Sequence, residues 1–174
     1  MTTHETKTLT PTGDPSPIDW LDLRRAPGLA DASGRLGMTS LAGAGGLRRD
    51  DGVDMLVLLV ADRELAAAGV PGIVETLGGE GIRVVRHSVV DMGVPEDLAA
   101  FRAVLDAVRA EVRNGRSVVV ACLGGYGRTG TAVACLLADA GLGGDEAIAL
   151  VRASRPGTIE RGTQEAFVRG WLEG

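Results

Sequence analysis

The run from Val118 to Thr131 (VVVACLGGYGRTGT) constrains this chain more than any other stretch. Consecutive β-branched valines lead through Ala121 into Cys122. A loop of Leu123, Gly124, Gly125, Tyr126 and Gly127 follows, then Arg128, Thr129 and a helical pattern. A fully apolar strand needs cover on both faces, as in a sheet sandwiched between helices. A loop with little side-chain bulk that runs from such a strand into a helix brings its own N–H groups and the helix N-terminus to one place. The segment therefore predicts an architecture and, within it, a position for an anion.

The rest of the chain follows the same alternation. Ile18 to Leu23 alternates apolar and polar residues, as a half-buried strand does. Leu36 to Leu41 reads as a short strand within 24–52. The rest of that region, where Arg24, Arg25, Arg48 and Arg49 flank small residues including Gly43, Gly45 and Gly46, reads as mobile loop. Met55 to Val60 is a second continuous apolar strand. Asp62 to Ala68 forms a short helix ended by Gly69 and Pro71, and Ile73 to Leu77 another, stopped by Gly78 and Gly79. Ile82 to Val90 reads as a strand. Pro95 opens a helix through Val112 with Leu98, Phe101, Val104, Leu105 and Val108 on one face, closed by Asn114-Gly115. Helical patterns cover Thr129 to Ala140, Asp145 to Ala153 and Gln164 to Leu172. The expectation is an α/β fold: a single three-layer domain over 18–174, with a central, mostly parallel sheet flanked by helices. The polar, Thr- and Pro-rich segment 1–17 is expected to be disordered.

Composition narrows the function. The net charge is -5 and aromatics make up 3% of the residues, so neither a broad basic surface for nucleic acid or acidic lipid nor a stacking platform for bases is expected. No apolar run approaches membrane-spanning length, and the N-terminus lacks a signal-peptide core. A cytoplasmic protein with reduced thiols and no membrane partner is expected. His4 and His87 are too few and badly placed for a metal site, and no metal or cofactor is expected.

The chemistry concentrates around Cys122. Five residues separate it from Arg128, with Gly125 and Gly127 between them and Thr129 and Gly130 just beyond. Loop amides and the helix N-terminus favour negative charge, and Arg128 can grip two phosphate oxygens in a bidentate fork. The same positive field favours a cysteine thiolate, and Thr129 can donate a hydrogen bond to the sulfur. The bland alternative is that Cys122 is a small hydrophobe at a strand end. For Cys135, inside an apolar helix, the core reading is the stronger one, and a disulfide with Cys122 is a lesser alternative. Gly125, Gly127 and Gly130 also spell the dinucleotide fingerprint G-x-G-x-x-G. Against it, another helix follows instead of a strand ending in an acid, and only 44 residues remain after Gly130.

Ala121 to Gly130 resembles the loop H-C-x-x-G-x-G-R-[ST]-G of the cysteine-dependent protein-tyrosine phosphatase superfamily, matching everywhere but the leading histidine, which is Ala121. The chain length is similar to the small dual-specificity group, particularly relatives of the cyclin-dependent kinase-associated phosphatase. The resemblance covers 18–172 and implies that superfamily's fold. It implies a nucleophile in Cys122 and a phosphate cradle formed by Leu123, Gly124, Gly125, Tyr126, Gly127 and Arg128. Asp91-Met92-Gly93-Val94-Pro95 resembles the D-x-G-x-P part of the family's acid loop, with Val89 and Val90 in place of Trp and Pro. This implies Asp91 as general acid and then base; the plain alternative is a charge near a helix N-terminus. The segment from Arg155 to Val168 resembles the family's glutamine segment. It implies that Gln164 orients water, against the alternative of a solvent-facing residue in the first turn of the last helix.

The implied reaction is metal-independent hydrolysis of a phosphomonoester through a phosphocysteine intermediate. Ala121 leads us to expect a Cys122 less acidic than in relatives that carry histidine. The cradle holds no lysine, which disfavours polyanionic inositol phosphates. Three readings follow: a dual-specificity protein phosphatase, a phosphatase for a sugar or nucleotide phosphate, and a non-catalytic phosphate-binding module. The partner is accordingly a phosphoprotein or a small phosphorylated metabolite.

Overall fold

A computed structural model describes residues 18–173, and the segment 1–17 expected to be disordered lies outside the described residues. The elements are β1 (Asp19–Trp20), β2 (Arg35–Ser40), α1 (Leu41–Gly45), β3 (Met55–Leu58), α2 (Asp62–Ala67), α3 (Ile73–Gly79), β4 (Arg83–Arg86), α4 (Leu98–Arg113), β5 (Ser117–Cys122), α5 (Gly127–Asp139), α6 (Gly144–Ser154) and α7 (Gly162–Arg169). The sheet order is β1-β2-β5-β3-β4. All neighbours are parallel except β1, which pairs antiparallel with β2. The right-handed crossovers usual between parallel strands put α1, α2 and α3 on one face and α4 on the other, where α5 joins it. There α5 packs against α4, α6 and α7.

Every residue of β5 is buried, as its run of valines requires of the central strand. Ser40 pairs with Cys122 and Leu58 with Ala121, so the C-terminal ends of the three central strands finish level. The helices α1, α2 and α5 all start at this rim, where ligands bind in open α/β sheets.

The sequence reading differs from the structure in several places. Most of 24–52 is built rather than loop. Ala26, Leu29, Leu41, Ala44 and Leu47 are buried, and α1 is capped by the Ser40 hydroxyl, which accepts the Gly43 N–H at 3.1 Å. Its glycines carry little helix propensity, and close packing on the sheet overrides that deficit. The long helix starts at Leu98 rather than at Pro95, because the Asp97 carboxylate accepts the Ala100 N–H at 3.0 Å and caps it there. Pro95 is instead buried in the preceding turn. The strand expected over 18–23 pairs at only two positions, since a 3-10 turn begins at Leu23. The strand expected over 82–90 keeps regular pairing to Arg86. His87 and Val89 N–H then still reach the carbonyls of Leu58 and Leu59. His87, Phe101, Phe167 and Trp171 stack into an aromatic cluster over α4 and α7.

Candidate active site

Cys122 ends β5, buried, and the chain turns through Leu123–Tyr126 into α5. Three carbonyls of this loop are held from outside. Leu123 O accepts the Leu41 N–H at 3.1 Å, Gly124 O accepts Arg155 Nη2 at 3.1 Å, and Tyr126 O accepts the Ile159 N–H at 3.2 Å. In a planar trans peptide the carbonyl and the following N–H point opposite ways. The N–H groups of Gly124, Gly125 and Gly127 therefore point away from these outer partners, towards the loop interior. Gly125 is required by its backbone: φ is +76°, and a Cβ there would lie 2.4 Å from the Thr39 carbonyl oxygen.

Arg128 follows in the first turn of α5, its side chain only 1% exposed. Glu64, in the first turn of α2, grips it end-on: Nη1 donates to Oε2 at 3.0 Å and Nη2 to Oε1 at 2.8 Å. Nη1 also donates to Val89 O at 3.0 Å, and Nη2 lies 3.0 Å from Asp91 Oδ1. A guanidinium has five N–H donors. Three thus make hydrogen bonds, Asp91 Oδ1 lies beside Nη2 as an ion pair, and Nε has no partner among the described residues. Burial works against the charge on Arg128, but Glu64, Cys122 and Asp91 outweigh it and raise its pKa. Burial likewise pushes the Glu64 carboxyl up, and the bonds from Arg128 and the Ala61 N–H more than reverse this.

Asp91 is brought to this cluster by a tight turn. Met92 takes φ +61°, a left-handed conformation unusual for a side chain of its size, and the Gly93 N–H closes the turn on Val90 O at 2.9 Å. Gln164 is fully buried, so the solvent-facing alternative is wrong. Its Nε2 donates to Gly93 O at 3.1 Å. Its Oε1 accepts the N–H groups of Glu160 at 3.0 Å and Arg161 at 3.2 Å. The side chain thus ties the Asp91 turn to the start of α7, and its amide lies over Gly127. Thr129 is buried, and among the described residues its hydroxyl has no hydrogen-bond partner, Cys122 Sγ included. Cys135 is a buried core residue whose thiol pKa is pushed up by burial, and both cysteines are free.

Glu64, Arg155 and Ile159 are the parts of the site that sequence reading missed. Glu64 carries a signal, an acid in the first turn of a helix, but that pattern normally means only a favourable dipole or cap. Ile159 is buried with φ +60°, a strained conformation for a β-branched residue, and nothing in its sequence marks it. Beside the loop, Leu123 helps line a cleft of about 460 Å³ with Leu41, Ala42, Gly45, Arg48 and Val70.

Known proteins share this fold. A solved kinase associated phosphatase, with its catalytic-site cysteine replaced by serine, superposes with a TM-score of 0.82 at 23% identity, covering 92% of this chain and 96% of that one. The active form of Tk-PTP gives 0.67 at 26% identity, covering 82% and 93%. Human DUSP28 gives 0.64 at 23%, covering 92% and 97%. An uncharacterised protein of Methanocaldococcus jannaschii is 41% identical over 87 residues, 48% of this chain and 55% of that protein, so the match spans about half of the relative's length. The family model described as "Tc-R-P: Polymorphic toxin system, DSP-PTPase phosphatase" matches residues 38–142, more than half of the chain. The fold, the cysteine-to-arginine loop and this match have one conclusion: the chain belongs to the Tc-R-P family of DSP-PTPase phosphatases.

Proposed function

We propose that this protein hydrolyses phosphomonoesters on phosphopeptides, as a dual-specificity phosphatase working through a phosphocysteine. The observation that carries this reading is the set of loop N–H groups turned inward between Cys122 and the buried Arg128. The Cys122 thiolate attacks phosphorus, the bond from phosphorus to the leaving oxygen breaks, and Asp91 delivers its proton to that oxygen. Water then attacks phosphorus, the S–P bond breaks with its electron pair returning to sulfur, and Asp91 takes the water's proton. Loop amides and Arg128 stabilise the equatorial oxygens in both steps.

Donor accounting links binding to acid release. A side-on grip on phosphate uses Nε and the edge of Nη2 beside which Asp91 now lies, while Glu64 keeps the end-on pair. Phosphate entering the cradle therefore displaces Asp91 from Arg128 and frees it to carry a proton. Gln164 holds the acid turn and lies over Gly127, on the side from which water approaches. The cleft beside Leu123 suits an apolar leaving group such as a tyrosyl ring. A reducing, cytoplasmic setting fits two free thiols.

Turnover of p-nitrophenyl phosphate in EDTA tests the reading. Wild type is expected to be active, Cys122→Ser inert, and Asp91→Ala slowed at the first step. An inert wild type would favour the non-catalytic binding module, and activity surviving Cys122→Ser would sink the covalent mechanism.

A further inference from the structure

We infer that Arg155, held by Asp19, is a positioning residue for the phosphate loop, and that oxyanion binding at the loop depends on this pair. The inference rests on the phosphatase reading above. Of the three loop carbonyls held from outside, those of Leu123 and Tyr126 are held by backbone N–H groups, and only that of Gly124 is held by a side chain.

Arg155 lies just past the end of α6, 10% exposed at its side chain. Its Nη2 donates to Gly124 O at 3.1 Å, and Nη1 donates to Asp19 Oδ2 at 2.5 Å. The guanidinium carbon sits 4.4 Å from the centroid of the Tyr126 ring. One side chain thus grips the loop at Gly124 and Tyr126, on either side of the left-handed Gly125. Its Nε is buried without a partner among the described residues. A buried N–H left unpaired is a cost to folding, so stability alone is a poor account of arginine at this position.

The effect on the reaction runs through one peptide. A charged donor on Gly124 O fixes the 124–125 peptide plane and polarises it, which makes the Gly125 N–H a better donor to an anion on the other side. Asp19 neutralises the guanidinium, so Arg155 does not compete with Arg128 for the phosphate. It acts through the Gly125 amide. Asp19 belongs to β1, which ties the edge of the sheet to the loop.

The test compares wild type with Arg155→Met, Arg155→Lys and Asp19→Asn. The readouts are the inhibition constant for orthovanadate, kcat and KM for p-nitrophenyl phosphate, and Tm. The expected result is an inhibition constant and a KM raised about tenfold in Arg155→Met, well below its Tm, as one weakened donor implies. Arg155→Lys is expected to recover part of the loss, since a single ammonium cannot serve Asp19 and Gly124 as a planar fork does. Asp19→Asn is expected to fall between. Wild-type orthovanadate affinity in Arg155→Met overturns the inference, whatever happens to Tm. Should that variant fail to fold, an unchanged inhibition constant in Asp19→Asn overturns it instead. A wild type that neither binds orthovanadate nor turns over substrate fails earlier, and sinks the phosphatase reading together with the inference.

Discussion

Removing Glu64 tests the electrostatic centre of the site. Arg128 is 1% exposed and Glu64 is 15% exposed at the side chain, so the pair is effectively buried. Breaking such a pair by deleting one partner costs about 3–5 kcal/mol, because the other charge stays buried and uncompensated. In Glu64→Ala, Arg128 keeps the Val89 carbonyl and Asp91, but Asp91 is 60% exposed and an exposed pair adds only about 0–1 kcal/mol. The loss should therefore lie near 3 kcal/mol, which for a chain of this size lowers Tm by about 6–12 °C. Glu64→Gln retains one acceptor and should lose about 2 kcal/mol. Thermal melts and urea titrations at neutral pH measure both. The sign of the pH dependence follows from the lowered Glu64 pKa. A carboxyl lowered in the folded state contributes stability above its unfolded value of about 4.3, and loses it as pH falls through the folded value. Wild type should weaken on acidification below about pH 4, and Glu64→Gln should show a shallower slope there. An alanine variant melting within about 2 °C of wild type would refute the argument.

Four further outcomes follow from the geometry. Asp91→Asn should leave Tm nearly unchanged, because the residue is 60% exposed, while kcat falls about 10²–10⁴-fold; a large drop in Tm would contradict this. Gly125→Ala must hold alanine at φ +76° with its Cβ 2.4 Å from a carbonyl oxygen, so it should lose about 2 kcal/mol or more and most orthovanadate affinity, read by melting and inhibition. Ala121→His supplies the family's side chain, but position 121 is fully buried between Thr39 and Leu58. Overpacking should cost about 1–3 kcal/mol without raising kcat, and a faster, equally stable variant would refute this. Burial lowers the His87 pKa against the raising effect of Asp97. Its contribution to stability should thus be complete above about pH 6.5 and fall as pH drops through the lowered value. His87→Phe should flatten that part of the urea-midpoint profile.

The strand, loop and helix around Cys122 were legible because their signals are local. A run of valines, glycines at fixed spacing and a helical pattern each depend on near neighbours in sequence. Asp91 was legible only beside the cysteine loop, since a lone acid before a helix has a simpler meaning. Glu64 was not legible: its partner is 64 residues away, and its local position reads as a helix charge. Arg155 and Ile159 stayed hidden for the same reason, their roles being set by the carbonyls of Gly124 and Tyr126 across the fold. The α1 turn was read as loop because its glycines lack helix propensity, and the sheet beneath supplies what they lack. Pro95 was read as the start of the long helix, whereas it is buried in the irregular segment before the Asp97 cap.

The left-handed Met92 sets how far the proposed acid has to travel. Gly93 is pinned by Gln164 and Val89 by Arg128, so both ends of the turn are fixed, and the Asp91 carboxylate hangs from it by a single ion pair. Carrying the carboxylate from Arg128 to a leaving oxygen is then rotation about side-chain bonds, a matter of picoseconds to nanoseconds. Sweeping a whole lid takes microseconds to milliseconds. On this reading the movement of the acid does not limit turnover, and solvent viscosity should slow the acid's step very little.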